Sequence, residues 1–212
     1  MSNTKFTVTL ACLRKAGACT SGYNMVVRAL QGMALSDDDM ERETYIRFAH
    51  KDPISIRAIL DSNGIDDALW ALRCIENADK DRDVRLFAVW CARQVEPLMD
   101  DQRSRDALDV AERHANGDAS DDDLAAAWAA ALGAAWDAAL DDARGAARGA
   151  AFAAARGAAW DAARGAARGA AFAAEWAAAC GPAWDAARGA QKDMLIKMLE
   201  GNAPWQTTGG KS

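Results

Sequence analysis

Histidine is nearly absent from this chain: its 212 residues include only His50 and His114, and neither stands in an HExxH or comparable ligand spacing. No GxSxG turn occurs, so the common nucleophilic and metallohydrolase constellations have nothing to start from. The five cysteines (Cys12, Cys19, Cys74, Cys91, Cys180) are odd in number, scattered and free of any CxxC pair. That suggests neither a disulfide framework nor a thiolate zinc site, and a reducing cytoplasm is the expected setting. Cys12 and Cys19, across a turn from each other, read as two buried thiols rather than a redox couple. Long apolar runs are missing too. The longest uncharged one, Leu124 to Trp136, is mostly alanine and falls short of the roughly 18 residues a membrane helix needs. Arg14 and Lys15 follow the short apolar stretch Phe6 to Leu13 instead of preceding it, which is wrong for a signal peptide. No segment alternates as a strand between hairpin turns, so the chain is predicted to be all-α. The terminal Gly210-Lys211-Ser212 resembles the end of a phosphate loop, but Trp205 stands where the leading glycine belongs; no cofactor is expected.

Hydrophobic residues make up 51% of the chain, much of it alanine, which gains little from burial. The formal charge of -6 is unevenly spread. Residues 1 to 123 carry 16 basic and 23 acidic side chains, a net of -7, whereas residues 124 to 193 carry seven of each. An acidic first half argues against general affinity for nucleic acid.

Start and stop signals divide the first half into short helices. One is expected over Phe6 to Ala16 and a second over Tyr23 to Met33, with GACTSG as the turn between them. Ser36 before Asp37, Asp38 and Asp39 predicts a capped helix running to about Ala49. Asp52-Pro53 reads as the next start and Asn63-Gly64 as its stop, after which Asp66 opens another helix. Apolar residues at three- and four-residue steps predict an amphipathic helix from Asp83 to Met99, ended by Pro97 or shortly after. A more polar helix follows over Asp100 to His114, stopped by Asn116-Gly117. Both histidines then fall near helix C-termini, where a cation is favoured. Ser120 with Asp123 repeats the capping pattern. Either triple-Asp run could in principle hold a hard cation, but each follows a serine at a helix start and lacks calcium-loop spacing, so capping is the reading.

From Trp128 onward every fourth residue is large or charged, and the positions between are mostly Ala, Gly or Asp. WDAA recurs at 136, 160 and 184, and RGAARGAAFAA at 144 and 164. A four-residue step drifts about 40° around a helix per repeat. A single helix would therefore wind this column around itself, whereas several helices of three to five repeats would keep it on one face. Several packed helices are expected, because each of the eight glycines from Gly133 to Gly189 costs about 1 kcal/mol in a solvated helix and needs close packing in return. Trp and Phe rings should fill the gaps between them. The expected organisation is an acidic helical region over 1–119, an Ala-rich helical region over 120–200 with a break at Gly181-Pro182, and a loose tail over 201–212.

Two binding surfaces are candidates. An acidic one comprises Asp37, Asp38, Asp39, Glu41, Asp79, Asp81, Asp83, Asp100 and Asp101, and would attract a basic protein partner. The alternative is the interleaved column Arg144, Arg148, Arg156, Trp160, Arg164, Arg168, Trp176, Trp184 and Arg188, a stacking surface for nucleic acid or nucleotide. Against it stands inward packing of the rings, with arginines paired to Asp137, Asp141, Asp161 and Asp185.

The segments LACLRKAGACTSG, DDALWALRCI and DVRLFAVWCARQVEPLMDDQRSRDALDVAERHANGDAS, followed by Ala-rich repeats, resemble a family of immunity-type proteins of actinobacteria and their phages. The similarity spans about residues 5 to 195, and Arg103 to Gly117 is its most specific stretch. It implies a compact helical protein that is not an enzyme. Such a protein acts by occupying the surface of a toxin, nuclease or defence complex, with no membrane association.

Overall fold

The computed structural model describes residues 5–75, 78–139 and 181–207. As the sequence predicts, it is built almost wholly of α-helix; the one sheet among the described residues pairs two strands of two residues each. The chain divides into two compact units, Met1–Asn77 and Ala78–Ser212. The boundary expected at 119/120 therefore falls inside the second unit, because the helices on either side of it pack on each other.

In the first unit, β1 (Thr7–Val8) pairs antiparallel with β2 (Ile54–Ser55), Val8 opposite Ile54. Both strands replace expected helix starts. The β-branched run Thr7-Val8-Thr9 suits a strand, and the Thr9 hydroxyl then caps α1 (Leu10–Lys15) by accepting from the Cys12 N–H at 3.2 Å. At the other strand Ile54 pairs with Val8 and is buried, and Ser55, not Asp52, caps α4 (Ile56–Asn63). Between them lie α2 (Thr20–Leu30) and α3 (Asp37–Glu41). Gly64, at φ 84°, is the stop the sequence announces, a left-handed conformation suited to glycine. Helix α5 (Ile65–Ala71) and a 3-10 turn (Leu72–Cys74) follow. Phe6, Leu13, Val27, Ile56, Ile59, Leu60, Leu69 and Leu72 are all buried.

Helix α3 ends at Glu41, eight residues before the expected Ala49, and residues 42–53 form no helix or strand. Tertiary contacts override local preference there. Asn24, fully buried in α2, donates to the Thr44 carbonyl at 3.1 Å and accepts from the Ile46 N–H at 2.8 Å, while the Tyr45 hydroxyl donates to the Ala18 carbonyl.

The second unit contains longer helices: α6 (Ala78–Arg93), α7 (Gln102–Ala115), α8 (Asp121–Ala139) and α9 (Gly181–Glu200). Helix α6 stops before Pro97, which lies in a 3-10 turn (Glu96–Leu98), since proline disfavours helix in the residue ahead of it. Helices α7 and α8 meet through small side chains. Ala107 and Ala131 are buried against each other with Ala127 beside them, and Val89, Ala111 and Leu124 join α6 to the pair. Close approach through alanine is what the array predicts, but its first large residue, Trp128, does not fill this gap: it is 42% exposed. Leu140 to Cys180, most of the repeat array, lies outside the described residues, and with it the choice between one helix and several. In α9, Met194, Leu195, Met198 and Leu199 are buried. The expected loose tail is ordered through residue 207: α10 (Pro204–Thr207) is tied to α6 by Gln206, which donates to Asp83 at 2.8 Å, and by Arg82, which donates to the Trp205 carbonyl. Among the described residues no helix is long and apolar enough to cross a membrane.

Candidate functional site

The nine carboxylates assigned to one acidic surface fall in both units: Asp37, Asp38, Asp39 and Glu41 in the first, Asp79, Asp81, Asp83, Asp100 and Asp101 in the second. Within each unit they separate by role. Asp39 is 2% exposed. Its carboxylate accepts from Arg28 through both oxygens, at 2.7 and 2.8 Å, and from the Ser36 hydroxyl at 2.9 Å. The Ser36 hydroxyl in turn accepts from the Asp39 N–H at 3.2 Å, which completes a capping box. The Arg28 hydrogen bonds hold the Asp39 carboxyl well below the usual carboxylate range; burial opposes them, and the bonds from Ser36 add to them. Asp37, Asp38 and Glu41 on the same helix are exposed and make no hydrogen bond or ion pair among the described residues.

In the second unit Asp83 is also 2% exposed, its carboxylate bonded to Gln206. Asp101 caps α7 by accepting from the Arg103 N–H at 2.8 Å and pairs with the Arg103 guanidinium at 2.6 Å, which lowers its pKa. Asp100 is exposed and Asp81 half-buried; Asp79 lies in α6. Asp39 and Asp83 must therefore be struck from the acidic surface, because a partner cannot reach them. Asp101 serves first as a helix cap. Their partners Arg28 and Gln206 were not singled out from sequence, and they lie 11 and 123 residues away along the chain.

Both triple-Asp runs serve as caps. In the second, the Asp123 carboxylate accepts from the Ser120 N–H at 3.0 Å and from the Ser120 hydroxyl at 2.8 Å, which keeps its pKa low, and the hydroxyl accepts from the Asp123 N–H at 3.1 Å. Among the described residues no group of three or more His, Cys, Asp or Glu could hold a metal ion. His114 is in the last turn of α7 as expected, and its Nε2 lies 2.8 Å from Asp121. His50 is not at a helix end; it stacks on Phe48 in the irregular segment. The expected pair of buried thiols is corrected at Cys19, which is exposed and caps α2 by accepting from the Gly22 N–H at 3.4 Å; Cys12 is half-buried. Burial raises the pKa of the Cys91 thiol.

Of the alternative column, Arg144, Arg148, Arg156, Trp160, Arg164, Arg168 and Trp176 lie outside the described residues. Trp184 falls in α9, and Arg188 is half-buried with its guanidinium donating to Gln191 at 3.1 Å. A cleft of about 400 Å³ opens in the first unit, lined by Val26, Ala29, Leu30, Ile54 and Ala58 with Asp61 and Ser62 at its side. Asp61 is paired there with Arg57.

No family model, curated protein or solved structure matches this chain.

The geometry suits binding. Asp39 and Arg28 hold a short helix in place from beneath, and three carboxylates stand on that helix with their hydrogen-bonding capacity unused.

Proposed function

We propose that the chain is a non-enzymatic binding protein of the immunity or anti-defence type, which neutralises a basic protein such as a toxin or nuclease by covering its surface. The observation that carries this reading is helix α3. Its one buried carboxylate is spent on Arg28 and Ser36, while Asp37, Asp38 and Glu41 face solvent from a fixed backbone. Carboxylates carried on a held backbone meet a cationic surface with less ordering cost than those of a loose segment, and charges of this kind chiefly accelerate association. The resemblance to immunity-type proteins supports the same reading. In the second unit Asp100 is exposed and Asp81 half-buried.

Pull-down from a host lysate, followed by association kinetics with the captured protein, tests it. Reversing Asp37, Asp38 and Glu41 together to Lys should slow association at least tenfold at low salt and much less at high salt. The reading fails if no stoichiometric protein partner is captured, or if the triple variant associates as fast as the parent.

A further inference from the structure

A second surface lies on the segment that leaves α3. Among the described residues, no backbone group from Glu43 to Asp52 is hydrogen bonded to another backbone group, and side chains engage only the Glu43 and Thr44 carbonyls and the Ile46 N–H. So long a stretch of main chain without backbone pairing is uncommon in a compact unit. Three observations show that the chain runs extended between the bends at Thr44 and Asp52. Burial alternates residue by residue, with Ile46, Phe48 and His50 half-buried and Arg47, Ala49 and Lys51 exposed, which is the two-residue period of a strand. The Phe48 and His50 rings stack nearly parallel, at 7° and 5.7 Å, as side chains two apart on one side of a strand can. Asn24 engages the Thr44 carbonyl and the Ile46 N–H, groups that share one edge of an extended chain.

On that parity the main-chain groups of Arg47, Ala49 and Lys51 line the opposite edge, which nothing among the described residues occupies. Arg47 and Lys51 are exposed, make no ion pair among the described residues and stand four positions apart on one face. Unpaired strand edges accept extended peptides, with main-chain hydrogen bonds giving affinity and alternate side chains giving selectivity. We infer that the Arg47–Lys51 edge binds an extended acidic peptide segment of a partner protein, adding it as a strand with its carboxylates against Arg47 and Lys51. This surface is independent of the acidic face of α3.

The test uses the full chain and an acetylated, fluorescein-labelled octapeptide alternating Glu and Thr, followed by fluorescence anisotropy at low salt. Its first control replaces Glu by Lys, and its second carries N-methyl groups along one edge. The acidic peptide should bind at least tenfold tighter than the Lys peptide, and N-methylation should remove binding. Ala49→Pro deletes one N–H on the open edge and leaves both cations and the core in place, so it should weaken binding tenfold or more with an unchanged melting curve. Arg47→Glu with Lys51→Glu should reverse the preference between the two peptides. Absence of binding at millimolar peptide overturns the inference, as does equal binding of the N-methylated peptide. So would an Ala49→Pro variant that keeps its fold and its affinity. Tighter binding of a thymidine octanucleotide than of the acidic peptide, or concentration-dependent self-association that Ala49→Pro abolishes, would assign the edge to another occupant and overturn it too.

Discussion

The two units are held together by different means. In the first, helices of five to eleven residues surround large branched and aromatic side chains, and a buried amide and a buried ion pair fix the turns between them. In the second, helices of 14 to 20 residues meet partly through alanine. Branched side chains bury much area per residue, so short helices suffice. Alanine buries little, so its interfaces depend on length and on close backbone approach.

Truncation should therefore damage the first unit most and enlargement the second. Ile59→Ala, at a site 2% exposed, should cost about 2–5 kcal/mol in urea unfolding followed by circular dichroism. In the second unit the damaging change is the opposite one. Ala131→Leu, at a fully buried contact with Ala107, should cost about 1–3 kcal/mol by forcing α7 and α8 apart. If Ala131→Leu proves neutral or stabilising, the close alanine contact is not what holds these helices.

Caps give a smaller and more even comparison. Ser36→Ala and Ser120→Ala should each cost about 1 kcal/mol, with the larger loss at Ser36, whose hydroxyl also binds a buried carboxylate. Acid separates the two further. Asp39 is held below its ordinary 3.8 by Arg28, so its contribution is fully present above that pH and is lost as pH falls below it toward the depressed folded value. An acid titration of stability should show Asp39→Asn losing this dependence while the parent retains it. The smallest effect belongs to Trp128, which is exposed despite its size: Trp128→Ala should shift stability by no more than about 0.5 kcal/mol.

Local chemistry was legible in the sequence and its long-range partners were not. Ser36 with Asp39, Ser120 with Asp123 and the stops at Gly64 and Gly117 depend on neighbours a few residues away, so the pattern alone locates them. The length of α3 was misread because its end is decided by Asn24 and Ala18, which contribute nothing to the local signal around residue 42. Asp39 and Asp83 looked like surface charge for the same reason. A carboxylate in an acidic run looks solvated until an arginine or a glutamine from elsewhere in the chain covers it. A signal for the first was present, since Asn24 interrupts the otherwise apolar buried face of α2.

Asn24 also determines where the chain can be cut. Proteases cut where exposed main chain is free to enter the cleft, and the segment leaving α3 offers trypsin Arg42, Arg47 and Lys51. In the parent, the Asn24 amide holds the middle of this stretch against α2. In Asn24→Ala the stretch would be released, and limited digestion should nick the first unit there before any helix is cleaved.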